Sequence, residues 1–537
     1  MRCTVIGSGP SGVHFALSAL ARGHQVEMID VGFPPPADVS PQDSFAQLKS
    51  RLADPAAYFL GTDNAGVLLP GEREEFYSMP PAKQYALEQV SGMPLHSTQF
   101  KPMSSFARGG LAQMWTGGCY PFNSADLATF PLQPDELQSY YSLIAQRIGI
   151  NGAEDDLAEM MPMHDSLQEP LRLDEHSARL LSRYQQRRTT LRERYGCRMG
   201  HARQAVLSQD LGTRKACQYL GRCIWGCPVG ALYTPAGSLD DCLKDPNFTY
   251  HRNCRVTHFR YDEGGRIRAV ETVAPDGSGA REFAVETLVL AAGALGTTRI
   301  YLESVYRHSG EIIRLTGLMD NRQILVPFVS PGMVGRSSEP DSYQYNQLAM
   351  GLEETIPEHY VHCLVTTLNT AMLHPVIEKF PFDLRTSLYL FRNLHAALGV
   401  VNVNFHDTRR EDCYATLEVT DDPQHPALVL HYQPPADEPA RIARTMRRLR
   451  KVLWKLGCVV PPGMVHVRPM GASVHYAGTL PMSTAAAPRT VSADCRSHDF
   501  PNLYIADGAS YPFLPAKNIT FTLMANAARV ADRMGQA

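Results

Sequence analysis

The first thirty residues alternate between short apolar runs and glycine-rich punctuation. "CTVIG" reads as a buried strand, "SGPSG" as a tight turn, "VHFALSALARG" as a helix and "HQVEMID" as a second strand. That order predicts a βαβ opening. After Gly32 the run "FPPPADVSPQD" carries prolines and small polar residues and predicts a loop. Residues 36 to about 100 show no sustained period, and 104–123 is glycine-rich, "SSFARGGLAQMWTGGCYPFN". The spacing predicts a helix with an acidic first turn over "QPDELQSYYSLIAQRIGI" and a basic helical stretch over 176–203. From 249 to 293 the pattern changes to strands around a turn at "EGGR". Residues 300–465 mix strands, such as "LGVVNVNFHD" and "ALVLHY", with one amphipathic helix, "DEPARIARTMRRLRKVLWKLG", whose cations read as a solvated face. The chain returns to Gly- and Ala-rich sequence and a final helix, "NITFTLMANAARVADRM". No internal repeat or low-complexity tract interrupts it.

Composition adds limits to this outline. With 537 residues and 44% hydrophobic positions the chain can bury a large core. Its 51 basic and 54 acidic residues leave a net charge of -3, so no global field draws it to nucleic acid or an anionic membrane. Twelve cysteines, mostly isolated, do not make the dense disulfide framework of small secreted domains. No run reaches the ~18 apolar residues of a membrane helix, and a strand beginning at the second residue leaves no room for a secretory leader. These features together predict a cytoplasmic protein, although export alongside a signal-bearing partner stays open.

The opening turn carries the first candidate chemistry. Gly7 permits the tight turn, Gly9 lets backbone N–H groups approach a pyrophosphate, and Gly12 lets the helix pack close to the strand. Asp30, 23 residues after Gly7 and at the end of the second strand, is placed to accept hydrogen bonds from a ribose. An acidic residue there disfavours a 2'-phosphate. FAD and NAD both use this fingerprint, and no second Gly-rich βαβ unit with its own acidic partner follows residue 32.

Four further segments carry a family resemblance. "GGLAQMWTGG" (109–118), "ETLVLAAGALGTTRIYLES" (286–304), "HYAGTLPM" (475–482) and "PNLYIADGASYPFLPAKNITFTLMANAARVADRM" (501–534) resemble the successive signatures of the glucose-methanol-choline (GMC) oxidoreductases. They stand in the family's order and bracket nearly the whole chain, leaving 300–465 unmatched. The resemblance implies an α/β fold: a Rossmann-like FAD domain assembled from 1–35, 104–125, 205–300 and 466–537, and an α+β substrate domain with an antiparallel sheet from 36–103, 126–204 and 301–465. Gly7, Gly9, Gly12 and Asp30 would hold the ADP half of FAD, and Gly109 and Gly110 would let the backbone run along the flavin and its phosphates. Val256 matches the strand whose backbone meets the adenine. Asp507 and Gly508 match the turn that binds pyrophosphate and ribityl chain, and Thr520, in the final segment, joins the implied cofactor-binding residues. Pyranose oxidase, a relative, carries a flavin-linking histidine at the place of Met114. A thioether cannot make that bond, which implies FAD held without a covalent link there.

The same resemblance places the family's active-site pair at His475 and Asn518. An imidazole with a pKa near 6.5 can accept an alcohol proton near neutral pH while hydride leaves carbon. An amide can orient the alcohol without competing for that proton. The implied activity is oxidation of an alcohol, foremost a sugar or glycoside hydroxyl, with a sterol or long-chain alcohol, or a non-redox FAD lyase, as alternatives.

Cys217, Cys223 and Cys227 fall within eleven residues, "KACQYLGRCIWGCPVGALYTP". Their C-x5-C-x3-C-P spacing resembles a segment of membrane-linked sugar dehydrogenases of the family, in which three thiolates hold a [3Fe-4S] cluster that feeds a protein electron acceptor. The double cysteine of those enzymes is missing, since Ala216 precedes Cys217. Two readings therefore stand, iron-sulfur ligands or small side chains packed in a turn.

Overall fold

The computed structural model describes residues 1–36, 42–61, 80–133, 135–162, 165–369, 381–419 and 422–535. Its first element is strand Arg2–Ile6, followed by helix Pro10–Ala21 and strand Gln25–Ile29. Pro10 starts the helix where no N–H is needed. Both strands join a wholly parallel sheet in the order Leu503–Ile505, Thr287–Leu290, Arg2–Ile6, Gln25–Ile29, Phe248–His251. A parallel sheet is buried on both faces, and its inner strands are accordingly buried along nearly their whole length. Helix Pro10–Ala21 packs along the final helix, Thr520–Arg533, over one face.

A three-stranded antiparallel sheet, Arg255–Tyr261, Ile267–Val273 and Arg281–Ala284, extends from this unit. The expected run at 249–262 is thus two strands. The chain breaks at Arg252–Cys254, where Asn253 N–H and Cys254 N–H bond back to the carbonyls of Val31 and Asp30.

The second large sheet has six antiparallel strands, ordered His466–Val467, Gln323–Val329, Leu398–Asn404, Val361–Thr367, Leu348–Leu352, Cys197–His201. One face is apolar. Ile324, Val326, Leu348, Met350, Val361, Cys363, Val365, Val401 and Val403 pack under helices Glu175–Gln186, Arg188–Tyr195 and Glu438–Lys455. Because successive side chains of a strand point to opposite faces, the other face carries Gln323, Asn404 and His362 as one cross-strand row and Leu325, Asn402 and Leu364 as the next. The mixed architecture, a parallel nucleotide-type sheet beside an antiparallel one, is the fold class the sequence predicts.

Several local expectations change. The basic stretch at 176–203 ends as strand Cys197–His201, because its Cys197 and Met199 fill the apolar face. The helix expected from about 133 begins at Gln138, without acidic residues in its first turn. Glu136 instead accepts from the buried Arg529 at 3.0 Å. The aperiodic 36–100 contains short helices Phe45–Arg51 and Pro55–Leu60, a 3₁₀ turn Pro81–Leu87 and strand Leu95–Thr98. Residues 37–41 of the predicted loop and 62–79 of that stretch lie outside the described residues. On helix Glu438–Lys455, Arg444, Arg447, Arg450 and Lys451 face solvent as expected, whereas Arg448 reaches inward to the Tyr195 carbonyl at 2.6 Å.

Candidate active site

The glycine-rich turn is built from close approaches. Gly7 sits at φ +99, and a Cβ on Gly12 would lie 2.0 Å from the Gly7 carbonyl oxygen, so neither position admits another residue without rearrangement. A Cβ on Gly9 would meet nothing within 4 Å, and Gly110 faces it across this gap, its own Cβ position 3.5 Å from Gly9 Cα. Gly9 and Gly110 thus lie close to each other at a turn where a pyrophosphate would need backbone approach.

Ser8, which sequence reasoning passed over, ties the parts together. Its hydroxyl donates to Asp30 Oδ2 and accepts from Gly109 N–H at 3.0 Å. Tyr250 donates to the same Oδ2 at 3.1 Å. Burial raises the Asp30 carboxyl to about 6 despite these bonds. Val256 lies at the start of Arg255–Tyr261, just beyond Asn253 and Cys254, whose N–H groups bond to the backbone carbonyls of Val31 and Asp30. Asp507 is engaged by its own chain. Its Oδ2 accepts from Thr297 at 2.5 Å and its Oδ1 from Ala509 N–H at 3.0 Å, and burial raises it to about 6. Gly508 follows it in a 3₁₀ turn, with its Cβ position only 2.5 Å from the Tyr476 carbonyl oxygen. Thr520 is the first residue of the final helix. Met114 caps the 3₁₀ turn Gly110–Gln113.

His475 and Asn518 are brought together. Asn518 Nδ2 lies 3.4 Å from His475 Nε2, and Asn518 Oδ1 is buried with no protein partner. His475 is buried, and that burial, with Arg468 adding to it, lowers its pKa to about 4. It follows Val474 at φ 58, a left-handed conformation that β-branched residues rarely adopt. The turn is held by Asp320, whose carboxylate accepts from Gly471 N–H at 2.7 Å, His475 N–H at 3.2 Å and the Ser473 hydroxyl. Asn321 Oδ1 meets His475 Nδ1 at 2.9 Å. Neither Asp320 nor Asn321 stands in a segment with a sequence signal.

Lys517, next to Asn518, is fully buried, its ammonium bonded to Asp126, to the Met160 carbonyl at 2.7 Å and to the Pro121 carbonyl at 3.3 Å. The polar face of the six-stranded sheet adjoins this end of the site. His362 stacks edge-on to Tyr120 with centroids 4.4 Å apart. Tyr120 in turn sits beside Gly118, which Asn518 flanks at 3.3 Å from its Cβ position. Burial, with Lys517 and His475 nearby, lowers His362 to about 3. Four buried polar atoms here lack protein partners: Tyr120 Oη, His362 Nε2, Asn402 Oδ1 and Asn518 Oδ1. Buried polar atoms are rarely left unpaired, so a polar ligand suits this wall.

Cys217, Cys223 and Cys227 pack against Leu171, Val206, Leu207, Ala231, Leu232 and Tyr343. Burial pushes the Cys217 thiol up to about 11 and Cys223 higher still. Among the described residues no group of three or more His, Cys, Asp or Glu side chains is arranged to hold a metal ion. The three cysteines are therefore packed in a turn, and the [3Fe-4S] expectation finds no support in the arrangement of the described residues.

A parallel dinucleotide-type sheet with a glycine-rich first turn, and a buried His–Asn pair in the same chain, are the features a nucleotide-cofactor oxidoreductase needs. Residues 409–527 match the family model described as GMC oxidoreductase. The chain is 25% identical over 544 residues to paromamine 6'-oxidase of Streptomyces fradiae, covering 98% of this chain and 90% of that protein. Its fold matches the crystal structure of pyridoxine 4-oxidase from Mesorbium loti with a TM-score of 0.60 at 15% identity, covering 100% of this chain and 99% of the other. Over residues 409–527 the chain is thus similar to the GMC oxidoreductases, a family of FAD-dependent enzymes that act on CH–OH groups. Among the described residues no helix is long and apolar enough to cross a membrane.

Proposed function

We propose that this protein oxidises a hydroxyl group on a polar, sugar-like substrate, with FAD as its cofactor. Gly7, Gly9, Gly12 and Asp30 bind the ADP half, Gly109 and Gly110 line the remainder, and Val256, Gly508 and Thr520 contribute through the backbone. Asp507 acts by shaping its turn, since its carboxylate is already satisfied by Thr297 and Ala509. The segments 1–35, 104–125, 205–300 and 466–537 make up the FAD domain, and the rest makes up the substrate domain. Met114 provides no covalent attachment, so acid precipitation releases the flavin.

Bound FAD supplies a two-electron acceptor for the hydride of the substrate's carbinol carbon. The chain's own residues handle the proton. His475 Nε2 takes the hydroxyl proton, and Asn518 Nδ2, 3.4 Å from that nitrogen, donates to the substrate oxygen and holds it there.

The observation that carries the substrate class is the polar sheet face. Gln323, Asn402, Asn404 and His362 stand on the side opposite the helices, and unpaired Tyr120, His362, Asn402 and Asn518 atoms gather there. A sterol or long-chain alcohol would leave these groups unsatisfied at about 1–3 kcal/mol each, whereas a polyhydroxylated ring can pair them. The names of the two relatives, both oxidases, support oxygen as the acceptor that returns the flavin to its oxidised state.

The test is anaerobic flavin bleaching across a panel of sugars, aminosugars, pyridine alcohols, sterols and fatty alcohols, followed by readmission of oxygen and peroxide assay. Bleaching by sugars or aminosugars, slowed roughly 10²- to 10⁴-fold in His475→Ala, supports the reading. Bleaching by sterols alone refutes the substrate class, and a flavin that no alcohol bleaches points to non-redox use of the fold.

A further inference from the structure

We infer that Asn321 is a positioning residue that fixes the tautomer of His475, leaving the Nε2 lone pair toward the substrate. The inference rests on the proposed role of His475 as the base, and its argument is one of hydrogen-bond direction. Asn321 Nδ2 donates to the Phe405 carbonyl at 2.8 Å and to the Pro515 carbonyl at 3.0 Å. Carbonyls only accept, so these two bonds pin which end of the amide is nitrogen. Its Oδ1 is then an acceptor with no hydrogen to give. The 2.9 Å contact to His475 Nδ1 is a hydrogen bond only if Nδ1 carries the proton. In the neutral ring Nε2 is then bare, on the side where Asn518 Nδ2 donates.

The neighbouring Asp320 completes the clamp, holding the backbone N–H of His475 while Asn321 holds its ring. Two consecutive residues thus fix the position and proton state of the imidazole. The three chain segments that Asn321 joins, through Phe405, Pro515 and His475, come from the end of strand Leu398–Asn404, the approach to Asn518 and the strained turn at Val474. An amide is well suited to this place: a carboxylate would also accept from Nδ1, but it could not donate to the two carbonyls and would favour the imidazolium.

The experiment combines two readouts on the holoenzyme. Nitrogen-15 NMR of histidine-labelled protein, with His475 assigned by its loss in His475→Gln, reports the ring tautomer without turnover. We expect the Nδ1–H form, and an Nε2–H form overturns the inference even if no substrate has been found. Single-turnover flavin reduction then compares Asn321→Leu with Asn321→Asp. The leucine variant should lose about 10²-fold in reduction rate at every pH. The aspartate variant should keep more of the rate, with its acid limb moved to higher pH by the added charge. Around His475 the charged and titratable groups are Arg468, which lowers its pKa, Asp320, which accepts from its backbone N–H, and His362, which has Lys517 near it, all unchanged in both variants. Wild-type reduction rates and an unmoved limb in both variants overturn the inference, and failure of wild-type protein to bleach with any alcohol refutes instead the reading of His475 as base.

Discussion

Replacing Asp126 by Asn should destabilise the protein by about 3–5 kcal/mol, the cost of breaking one partner from a buried ion pair. The Lys517 side chain has no exposure and Asp126 almost none. The ammonium's remaining acceptors, the Met160 and Pro121 carbonyls, carry no net charge. Burial already lowers the Lys517 pKa, with Asp126 opposing that shift, so removing the carboxylate leaves a cation in the interior with only dipoles around it. Against a total stability of about 5–15 kcal/mol this is a large fraction. Urea denaturation followed by flavin and tryptophan fluorescence measures it. The sign of the pH dependence follows from the lowered pKa: the unfolded chain holds the lysine proton more tightly, so stability rises with pH toward the unfolded value of about 10.4. The Asp126→Asn deficit should therefore shrink in alkaline buffer. Replacing both partners, as Asp126→Leu with Lys517→Met, should recover most of the loss, since an apolar pair leaves no orphaned charge. A single variant within about 1 kcal/mol of wild type would show that the pair does not hold the residue preceding Asn518, and the account of that corner would fail.

Flavin reduction should stay flat from neutral pH down to about 5 and fall as pH drops through about 4, because burial keeps His475 neutral until then. Stopped-flow reduction against pH checks this, and an acid limb near 6.5 would mean the ring is not buried as described. At the nucleotide turn, Gly9→Ala and Gly12→Ala should separate. The Gly9 variant has room for its methyl group and should fold normally while binding FAD at least about tenfold more weakly. The Gly12 variant drives a Cβ against the Gly7 carbonyl at 2.0 Å and should also lose about 1–3 kcal/mol of stability. Equal flavin affinity in Gly9→Ala and wild type would remove the pyrophosphate from that turn.

The parts of this molecule that the sequence made legible are those in which chemistry depends on consecutive residues. The turn at Gly7–Gly12 is one, because strand, glycines and helix are adjacent in the chain and each glycine answers a steric demand of its neighbours. The His475 and Asn518 segments are another, each marked by a local signature, though their meeting at 3.4 Å is a property of the fold. Ser8 escaped notice despite lying inside the glycine motif, because its partners Asp30 and Gly109 are separated from it by 22 and 101 residues. The cysteine turn misled for the opposite reason. Its spacing suggested ligands, but spacing does not record packing, and the apolar neighbours of Cys217 and Cys223 come from residues on either side of the turn and from the distant Leu171 and Tyr343.

The six-stranded sheet shows where such reading stops and why. Strands such as Leu348–Leu352 and Val361–Thr367 are buried throughout, so the alternation that normally separates a core face from an outer face is blurred. A histidine at 362 or an asparagine at 402 then reads as an isolated polar residue in an apolar run. Only when the strands are set in register do Gln323, Asn404 and His362 line up as a row, with Asn402 one step behind. The apolar face is held by helices whose sequence was readable, and that packing forces the polar residues onto the face turned toward the catalytic pair. The features proposed to select a substrate are therefore consequences of register. Register joins residues some eighty positions apart, as Gln323 and Asn404 are, and no local period in the chain records it.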